Sequence, residues 1–437
     1  MKILHLPESF FPWQTGGKEV FTLNLALALK QIGVDSVIAI HSDGSEKMCP
    51  GTTSYADLHV EVLPKLMPDP LGFYNFKVKE ATGFRDFLLQ LRPDVVHFHD
   101  QNGGASLTHL KIAKQLGFKT ILTYHTAGQS CPQRALLFKG KHICDGKQCI
   151  KRCSECLLTI RSIPMPLPQV FSNISLPFLN NYNNAFHRIA NIRTLVDMYF
   201  KSFQEIFSLH DKIQVHAHWV KTLLLLNGVK EEKIFFTRQG INEMSQEPRA
   251  KHQEPEANLK IIFIGRCDYI KGVHILIDAV KKLLVDAPVE VYFAGPYWEN
   301  SKYGNIQLAK IKDDRRFKKP LLLPPDKVQL YMQEMDVCVI PSLCLETGPL
   351  IMLEALQCRL PIVGSNIGGI AELIEDGKNG LLFNVGDSKA LADILELLIA
   401  NPAKLTQLKN GIKKVRSVSD MANDFKSLYV SLCENIY

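Results

Sequence analysis

The sequence has no apolar run that approaches the ~18–20 residues a membrane-spanning helix needs. It also lacks a basic stretch followed by a sustained apolar core near its start, so Met1 to Leu6 predicts a buried strand and not a secretory signal. Both absences favour a cytoplasmic protein that is at most peripheral on the inner face of the cell membrane.

Three further signatures are missing. No Gly-x-Gly-x-x-Gly sequence occurs after a predicted strand, so the dinucleotide fingerprint is absent. No internal repeat of roughly 20–50 residues is visible, which argues against a solenoid. No recognised nucleic-acid-binding module accompanies the basic residues, so nucleic acid is not an expected partner.

The 437 residues are enough for two domains, because single cores stop growing near ~250–300 residues. Predicted strands and helices alternate along the whole chain, which predicts α/β domains with doubly wound parallel sheets. We expect an N-terminal domain over 1–242, a linker over 243–258 rich in Glu, Pro, Lys and Gln, and a C-terminal domain over 259–415. Residues 416–437 predict a helix that packs back on the N-terminal domain.

Positive charge is concentrated in one part of the chain. Residues 101–240 hold 18 Lys/Arg against 7 Asp/Glu, whereas residues 1–100 and 241–437 are slightly acidic. Such a local excess favours an anionic partner, for example an anionic membrane surface. The alternative is that some of these side chains only solvate an inserted segment.

The stretch from Cys338 to Phe383 carries the most specific pattern. An apolar strand ends before Glu346, and a predicted helix then carries Glu354, eight positions further on. A helix N-terminus with a glycine suits an anion such as diphosphate, while a carboxylate beside it suits neutral hydroxyls. The stretch therefore predicts a site for a sugar and a diphosphate, with donor contacts from Glu346, Thr347, Gly348, Pro349, Leu350 and Glu354.

This stretch resembles the Glu-x7-Glu signature of family 4 retaining glycosyltransferases, including the strand, glycine turn and closing helix and strand that follow it. The resemblance implies the GT-B fold, in which two Rossmann-like domains face a cleft. It also implies transfer of a hexosyl unit from a nucleotide diphosphate sugar to an acceptor hydroxyl. Glu346 would contact the sugar and Glu354 the ribose.

Arg266 and Lys271 follow a predicted strand and lie between Gly265 and Gly272. Two cations in a loop of this kind suit a diphosphate and would stabilise it as it leaves. No Asp-x-Asp occurs in the sequence, so we expect these cations to replace a catalytic metal, and no cofactor for catalysis. Gly295 is a further donor-binding candidate at the end of another strand.

Two candidates fall in the first half. Gly16 and Gly17 stand between the first strand and a helix, where relatives of the family use a glycine loop to cover the donor phosphates or admit the acceptor. His125 ends a strand, and the resemblance implies a catalytic histidine near the donor sugar. His97, His99, His216 and His218 are predicted to be structural.

Cysteines cluster within an insertion over about 128–160. Cys153-x2-Cys156 has the spacing of a metal knuckle, and four thiolates suffice for tetrahedral zinc. The sequence predicts a structural zinc held by Cys131, Cys144, Cys153 and Cys156, with Cys149 as the alternative ligand. An iron–sulfur cluster and unligated thiols are the other interpretations.

The expected acceptor is a lipid-linked or saccharide molecule in cell-surface polysaccharide or glycolipid synthesis, selected mainly by the first half. Two other classes stay open. One is another enzyme on the same architecture, such as a nucleotide-sugar epimerase, and the other is a non-catalytic protein that binds sugar nucleotides or interacts through zinc. An epimerase would need additional carboxylates in the cleft, and the sequence shows no such signature. A non-catalytic protein would have lost the catalytic set, whereas His125, Arg266, Lys271, Glu346 and Glu354 are all present.

Overall fold

The computed structural model describes residues 1–101, 103–174, 184–243 and 258–434. The chain divides into two compact units, of which unit 1 comprises Met1–Gln239 and Val418–Tyr437, and unit 2 comprises Gly240–Ser417. Nearly all of the predicted linker, residues 244–257, lies outside the described residues, as do residues 435–437.

Unit 1 is built on an eight-stranded sheet in the order β12-β11-β8-β7-β1-β2-β4-β3. All neighbouring strands are parallel except β3, which pairs antiparallel with β4. Two small antiparallel pairs, β5 with β6 and β9 with β10, lie outside this sheet. The strands are β1 Lys2–Pro7, β2 Asp35–His41, β3 Gly51–Tyr55, β4 Leu58–Leu63, β5 Met67–Pro68, β6 Val78–Glu80, β7 Val95–His99, β8 Lys119–Thr123, β9 Leu137–Phe138, β10 His142–Ile143, β11 Lys212–Val215 and β12 Ile234–Phe236.

Nine α-helices are described in this first part of the chain. They are α1 Gly17–Gln31, α2 Gly72–Asn75, α3 Phe84–Leu91, α4 Leu107–Gln115, α5 Ile150–Ile160, α6 Leu167–Asn173, α7 Ala185–Ala190, α8 Ile192–Leu209 and α9 His218–Leu226. Short 3₁₀ turns occur at Gly103–Ala105, Ala127–Gln129 and Glu231–Lys233. The central strands are buried on both faces, which is why β1 and β7 are almost wholly apolar or histidine-rich and do not alternate.

Unit 2 has a five-stranded parallel sheet in the order β14-β13-β15-β16-β17. Its strands are β13 Leu259–Ile264, β14 Val289–Ala294, β15 Val337–Ile340, β16 Ile362–Ser365 and β17 Gly380–Phe383. Its helices are α10 Val273–Val280, α11 Lys302–Ile311, α12 Pro325–Met332, α13 Leu350–Gln357, α14 Gly368–Leu373, α15 Ser388–Ala400 and α16 Pro402–Asn410, with a 3₁₀ turn at Tyr269–Lys271. The two doubly wound sheets confirm the predicted α/β fold class.

The last helix, α17 (Val418–Glu434), belongs to unit 1 although it follows unit 2 in the chain. Its apolar side chains recur every three or four positions, so they form one face. That face packs into the core around Ile3, Phe21 and Leu25. The face consists of Val418, Met421, Ala422, Phe425, Leu428, Tyr429 and Leu432.

Parallel strands bring the loops that follow them to one edge of a sheet, where ligands bind in open α/β folds. In unit 1 the loops after β1, β7 and β8 carry Gly16, Asp100 and His125. In unit 2 the loops after β13, β14 and β15 carry Arg266, Gly295 and Glu346.

Among the residues described, none of the helices combines the length and apolar character that crossing a bilayer requires.

Candidate functional site

Lys271 and Glu346 form an ion pair at the carboxyl edge of the unit 2 sheet. The Nζ atom of Lys271 lies 2.6 Å from Oε1 of Glu346, and the Ser342 hydroxyl donates to the same oxygen at 3.0 Å. Burial alone would lower the pKa of Lys271, but the carboxylate beside it outweighs this and raises the pKa. Lys271 is therefore a fixed cation with donor capacity to spare, and it neutralises a carboxylate that would otherwise repel a phosphate.

Arg266 lies in the same loop and is half exposed. Its Nη2 atom is 3.1 Å from Oδ2 of Asp268, whose other oxygen accepts a hydrogen bond from the backbone N–H of Lys271 at 3.1 Å. Asp268 thus shapes the turn that presents both cations. Gly272 follows in the left-handed region, where a Cβ would come within 1.8 Å of the Pro341 carbonyl oxygen, so only glycine lets this turn pack against the loop after β15.

The loop from Glu346 to Leu350 leads into α13. Gly348 has a φ of +120°, and Pro349 precedes the first helical residue, Leu350. The glycine turn at the start of α14 packs on this loop, because the N–H of Gly369 donates to the Glu346 carbonyl at 2.8 Å. The first turn of α13 contains no acidic residue, so its N-terminal amides, together with Thr347, form a neutral to positive end for an anion.

Glu354 lies one turn into α13, close to Cys338 and Cys358. Burial raises its pKa to about 7, and the described structure gives it no cation. Glu354 therefore differs from Glu346, which is paired with Lys271. Gly295 directly follows β14 and packs against Gly265, since a Cβ at Gly295 would meet the Gly265 carbonyl oxygen at 2.1 Å.

In unit 1, His125 is held by a residue that the sequence analysis did not single out. Asp100 is buried and accepts hydrogen bonds from the backbone N–H groups of His125 at 2.8 Å and Thr126 at 3.3 Å, and from the Thr126 hydroxyl at 3.0 Å. The Nζ atom of Lys18, in the first turn of α1, lies 3.7 Å from Oδ2 of Asp100 and 3.1 Å from Oε2 of Glu8. Burial raises the pKa of Asp100 in spite of Lys18. The only sequence signal for Asp100 was its place directly after a buried strand.

The His125 ring belongs to a buried group of histidines. Its Nε2 lies 3.3 Å from Nδ1 of His99, whose Nε2 lies 3.0 Å from Nδ1 of His5. Burial lowers the pKa of all three rings, so they are neutral at physiological pH. A chain of neutral rings, in which each donates to the next, fixes the tautomer of every member.

Within the described residues, His5, His97 and His99 are the set whose metal-type ligand atoms all lie within 4.8 Å of one another. These atoms are used by hydrogen bonds. His97 is bonded through Nδ1 to the Tyr429 hydroxyl at 2.8 Å and through Nε2 to the Thr123 hydroxyl at 2.7 Å. A metal here would have to break the bonds that hold the ring stack to α17 and β8, so the geometry fits packing and not ligation.

The glycine loop before α1 has a carboxylate beside its first glycine. A Cβ at Gly16 would come within 2.8 Å of Oε2 of Glu19, whereas a Cβ at Gly17 would meet nothing within 4 Å. Glu19 is buried in the first turn of α1 and accepts a hydrogen bond from the Ser9 hydroxyl at 2.6 Å. A carboxylate in this place disfavours phosphate at the start of α1. The same loop borders a cavity of about 550 Å³ in unit 1 whose walls include Glu8, Trp13, Lys18, Asp43 and Lys65.

The cysteine-rich segment folds as a short hairpin, β9 and β10, followed by α5. Cys131, Cys144, Cys153 and Cys156 line one small cavity of about 20 Å³, and no disulfide joins them. Burial raises the pKa of Cys131 and Cys156, and that of Cys153 to about 11. Cys149 caps α5, is exposed and does not line the cavity.

Two family descriptions match most of the chain. "Glycosyl transferases group 1" matches residues 244–415, and "Glycosyltransferase Family 4" matches residues 15–148. Together the two matched ranges cover well over half of the sequence. They also include every predicted donor residue.

Among known proteins, the putative colanic acid biosynthesis glycosyltransferase WcaL of Escherichia coli is 28% identical over 220 residues, which are 48% of this chain and 53% of WcaL. The amylovoran biosynthesis glycosyltransferase AmsK of Erwinia amylovora is 27% identical over 210 residues, 46% of this chain and 51% of AmsK. In these matches the chain spans about half the length of its relatives.

Solved structures match the fold over the whole chain. Anabaena HepE in complex with UDP and glucose superposes with a TM-score of 0.62 at 17% identity, covering 99% of this chain and 100% of HepE. Sucrose-phosphate synthase from Thermosynechococcus elongatus gives a TM-score of 0.64 at 16% identity, covering 99% and 98% of the two chains. These are glycosyltransferases of the GT-B class, so the predicted fold is confirmed. The chain belongs to the family 4 glycosyltransferases, as its Glu-x7-Glu stretch predicts.

Proposed function

We propose that this protein is a retaining glycosyltransferase that moves a hexosyl unit from a nucleotide diphosphate sugar to an acceptor hydroxyl. The observation that carries the proposal is the Lys271–Glu346 pair, which lies directly before the anion-binding start of α13. A sugar with neutral hydroxyls and a diphosphate need this combination of a hydrogen-bond acceptor, a cation and the amides at the start of a helix. The WcaL and AmsK names support glycosyl transfer in polysaccharide biosynthesis.

In the proposed reaction the bond between the anomeric carbon and the diphosphate oxygen breaks. The electron pair leaves with the nucleoside diphosphate, and the acceptor oxygen forms the new bond and loses its proton to the departing diphosphate. Lys271, Arg266 and the N–H groups of Thr347, Gly348 and Leu350 stabilise the charge that grows on the leaving diphosphate. Glu346 orients the sugar by accepting its hydroxyls, and Glu354 holds the ribose. Gly295 stays a proposed donor contact and His125 a proposed catalytic residue.

We further propose that these side chains replace a catalytic divalent metal. The sequence has no Asp-x-Asp pair, and unit 2 presents two cations at one strand end instead. The HepE complexes named with UDP and glucose and with UDP-glucose make a UDP-sugar the first donor to test.

For the acceptor we propose a saccharide, lipid-linked or free, bound in the unit 1 cavity beside Gly16 and Gly17. Glu8 and Asp43 offer carboxylates to sugar hydroxyls, and Trp13 offers an aromatic face. The carboxylate of Glu19 at the start of α1 supports an acceptor role for this loop over a phosphate role. A lipid-linked acceptor would place the protein on an anionic membrane surface, at the inner face of the cell membrane.

The test is a screen of UDP-, GDP- and ADP-sugars that measures the nucleoside diphosphate released and the anomeric configuration of the product. We expect one donor class to be turned over with retention, and EDTA to leave the rate unchanged in a short assay. Lys271→Ala and Arg266→Ala should each lose about 10²–10³-fold in turnover, because each removes a charge that acts mainly on the leaving group.

Lys282→Ala is the matched control, because Lys282 is an exposed cation of unit 2 away from this loop. It should keep the wild-type rate. If Lys271→Ala and Arg266→Ala turned over donor at the wild-type rate, the assignment of the donor site would be wrong. Conversion of the donor sugar without transfer would favour an epimerase, and binding without turnover of any donor would favour a non-catalytic protein.

A further inference from the structure

The cysteine cavity of unit 1 is not used by the proposed reaction. The local fold brings its four thiols together from three elements. The hairpin returns Cys144 next to the start of the segment, where its N–H donates to the Leu136 carbonyl at 2.8 Å. Cys153 and Cys156 stand one turn apart on α5, so both can face the hairpin. Cys131, before the hairpin, completes the lining of the cavity.

Backbone amides point at two of these sulfur atoms. The N–H of Lys139 donates to the Cys156 sulfur at 3.0 Å. The amides of Gln133 and Leu136 are directed at the sulfur of Cys131. Hydrogen bonds of this kind stabilise a thiolate more than a thiol, because they interact with the negative form.

We propose that Cys131, Cys144, Cys153 and Cys156 bind one zinc ion in a tetrahedral site. A hairpin and the first turns of a helix supply the ligands, and four Zn–S bonds of ~2.3 Å would draw the sulfur atoms to about 3.8 Å from one another. The sulfurs stand wider apart than this, and the Cys144 thiol donates to Oδ1 of Asp145 at 3.7 Å. Zinc binding would therefore draw these side chains toward one another.

The site would fix the loop that carries His125. Cys131 directly follows the turn Ala127–Gln129, which is anchored by the Tyr199 hydroxyl donating to the Gly128 carbonyl at 2.7 Å. The Ser130 and Tyr124 hydroxyls are 2.6 Å apart on the other side of the turn. A metal at Cys131 would tie this turn to the hairpin and α5. Zinc binding itself does not depend on the proposed transferase activity.

The test measures metal in the purified full-length protein by elemental analysis, and then titrates chelator-treated protein with Zn²⁺ and Co²⁺. We expect about one zinc per chain, and for cobalt the strong visible absorption of a tetrahedral thiolate site. Zinc should also protect the four cysteines, but not exposed Cys49 and Cys149, from alkylation followed by mass spectrometry.

Single Cys→Ser variants at the four positions should each lose the bound metal, whereas Cys149→Ser keeps it as the control within the same segment. The alkylation pattern of the wild type decides the question even where a variant fails to fold. Folded wild-type protein that contains no metal, takes up none and shows no protection would overturn the proposal. The visible absorption of an iron–sulfur cluster, or loss of metal in Cys149→Ser, would overturn the assigned metal or the ligand set.

Discussion

Glu346 and Glu354 are two acidic residues, one in the loop before α13 and one within α13, and their surroundings differ. The Glu346 carboxylate accepts hydrogen bonds from the Lys271 ammonium group and from the Ser342 hydroxyl. Burial raises the pKa of Glu354 to about 7. A carboxyl group that is half protonated near neutral pH accepts hydrogen bonds well only in its ionised form. The difference gives a separate experimental signature for each residue.

We predict that the affinity for nucleoside diphosphate rises with pH through about 7, by up to about tenfold per pH unit below that value, because Glu354 must ionise to accept the ribose hydroxyls. The converse holds for stability. Burial raises the pKa of Glu354 in the folded state. Below the ordinary pKa of a glutamate, the group is protonated in both states and does not change the free energy of unfolding. As the pH rises from there through about 7, the unfolded chain loses this proton first, so the free energy of unfolding falls. Calorimetric titration at several pH values measures the first effect, and urea unfolding the second.

Glu354→Gln should remove this pH step and weaken nucleotide binding. The terminal phosphate also titrates near ~6, so Glu346→Gln serves as the control that keeps the phosphate and Glu354 but lacks the sugar contact. It should retain the step while turnover falls. A pH step that persists in Glu354→Gln would show that another group produces it.

The sequence predicts the approximate position of candidate residues that belong to short local motifs. Arg266, Lys271, Glu346 and Glu354 each follow a strand or begin a helix, so their approximate position depends on local pattern alone. The Lys271–Glu346 contact joins positions 75 apart and was not predicted, because side-chain pairing depends on how β13 and β15 lie side by side. Their roles in the reaction stay predictions.

At the scale of elements, Asp100 connects three loops of unit 1. It follows β7, holds the first residues after β8 by hydrogen bonds, and lies beside Lys18 at the start of α1. Sequence analysis could place Asp100 at a strand end but could not find this role, because its partners come from separate parts of the chain. The strands β3 and β4 were missed for a related reason, since the pairing of β4 with β2, and of β3 with β4, is set by tertiary packing.

We predict that Asp100→Ala lowers the free energy of unfolding by about 1–3 kcal/mol for each buried donor left without a partner. It should also lower turnover beyond the effect on folding, because the His125 loop and Lys18 lose their common anchor. Urea unfolding and the rate per folded molecule are the two measurements.

Asp211→Ala is a closely matched control. Asp211 accepts hydrogen bonds from the Thr120 N–H and the Lys114 ammonium group, both at 2.7 Å, but at the amino ends of β8 and β11. It should destabilise the protein to a similar extent and leave the rate per folded molecule unchanged. If Asp100→Ala and Asp211→Ala had similar rates per folded molecule, the role of Asp100 would be structural only.

At the scale of the whole molecule, the chain builds unit 1 from both of its ends. The excess of positive charge in residues 101–240 lies within unit 1, and ion pairs within this range leave most of it unneutralised. Each of the acidic residues in 101–240 pairs with a Lys or Arg of the same range, so the remaining cations carry the excess. The pairs are Lys111–Glu205, Lys114–Asp211, Lys139–Glu155, Arg152–Asp145, Lys201–Asp197, Lys221–Glu231 and Lys230–Glu232.

Exposed apolar side chains occur in the same range. Between positions 143 and 186 they are Ile143, Ile160, Met165, Leu167, Val170, Ile174 and Phe186. Exposed lysines at 141, 147 and 151 lie close to them in the sequence. Basic and apolar side chains together are typical of a surface that lies in the headgroup region of a membrane. This combination supports the proposal that the protein reaches a lipid-linked acceptor on an anionic surface.

We predict that the protein sediments with vesicles that contain anionic lipid and not with neutral vesicles, and that 1 M salt weakens this binding because the Debye length falls to ~3 Å. Each aligned cation should contribute about 1 kcal/mol. Replacing Lys141, Lys147 and Lys151 by Glu, or Met165 and Val170 by Ser, should reduce retention. Leu284→Ser in unit 2, where the side chain is 76% exposed, is the apolar control and should not. Failure of anionic vesicles to retain the wild type at low salt would remove the membrane from the proposal and leave a soluble saccharide as the acceptor.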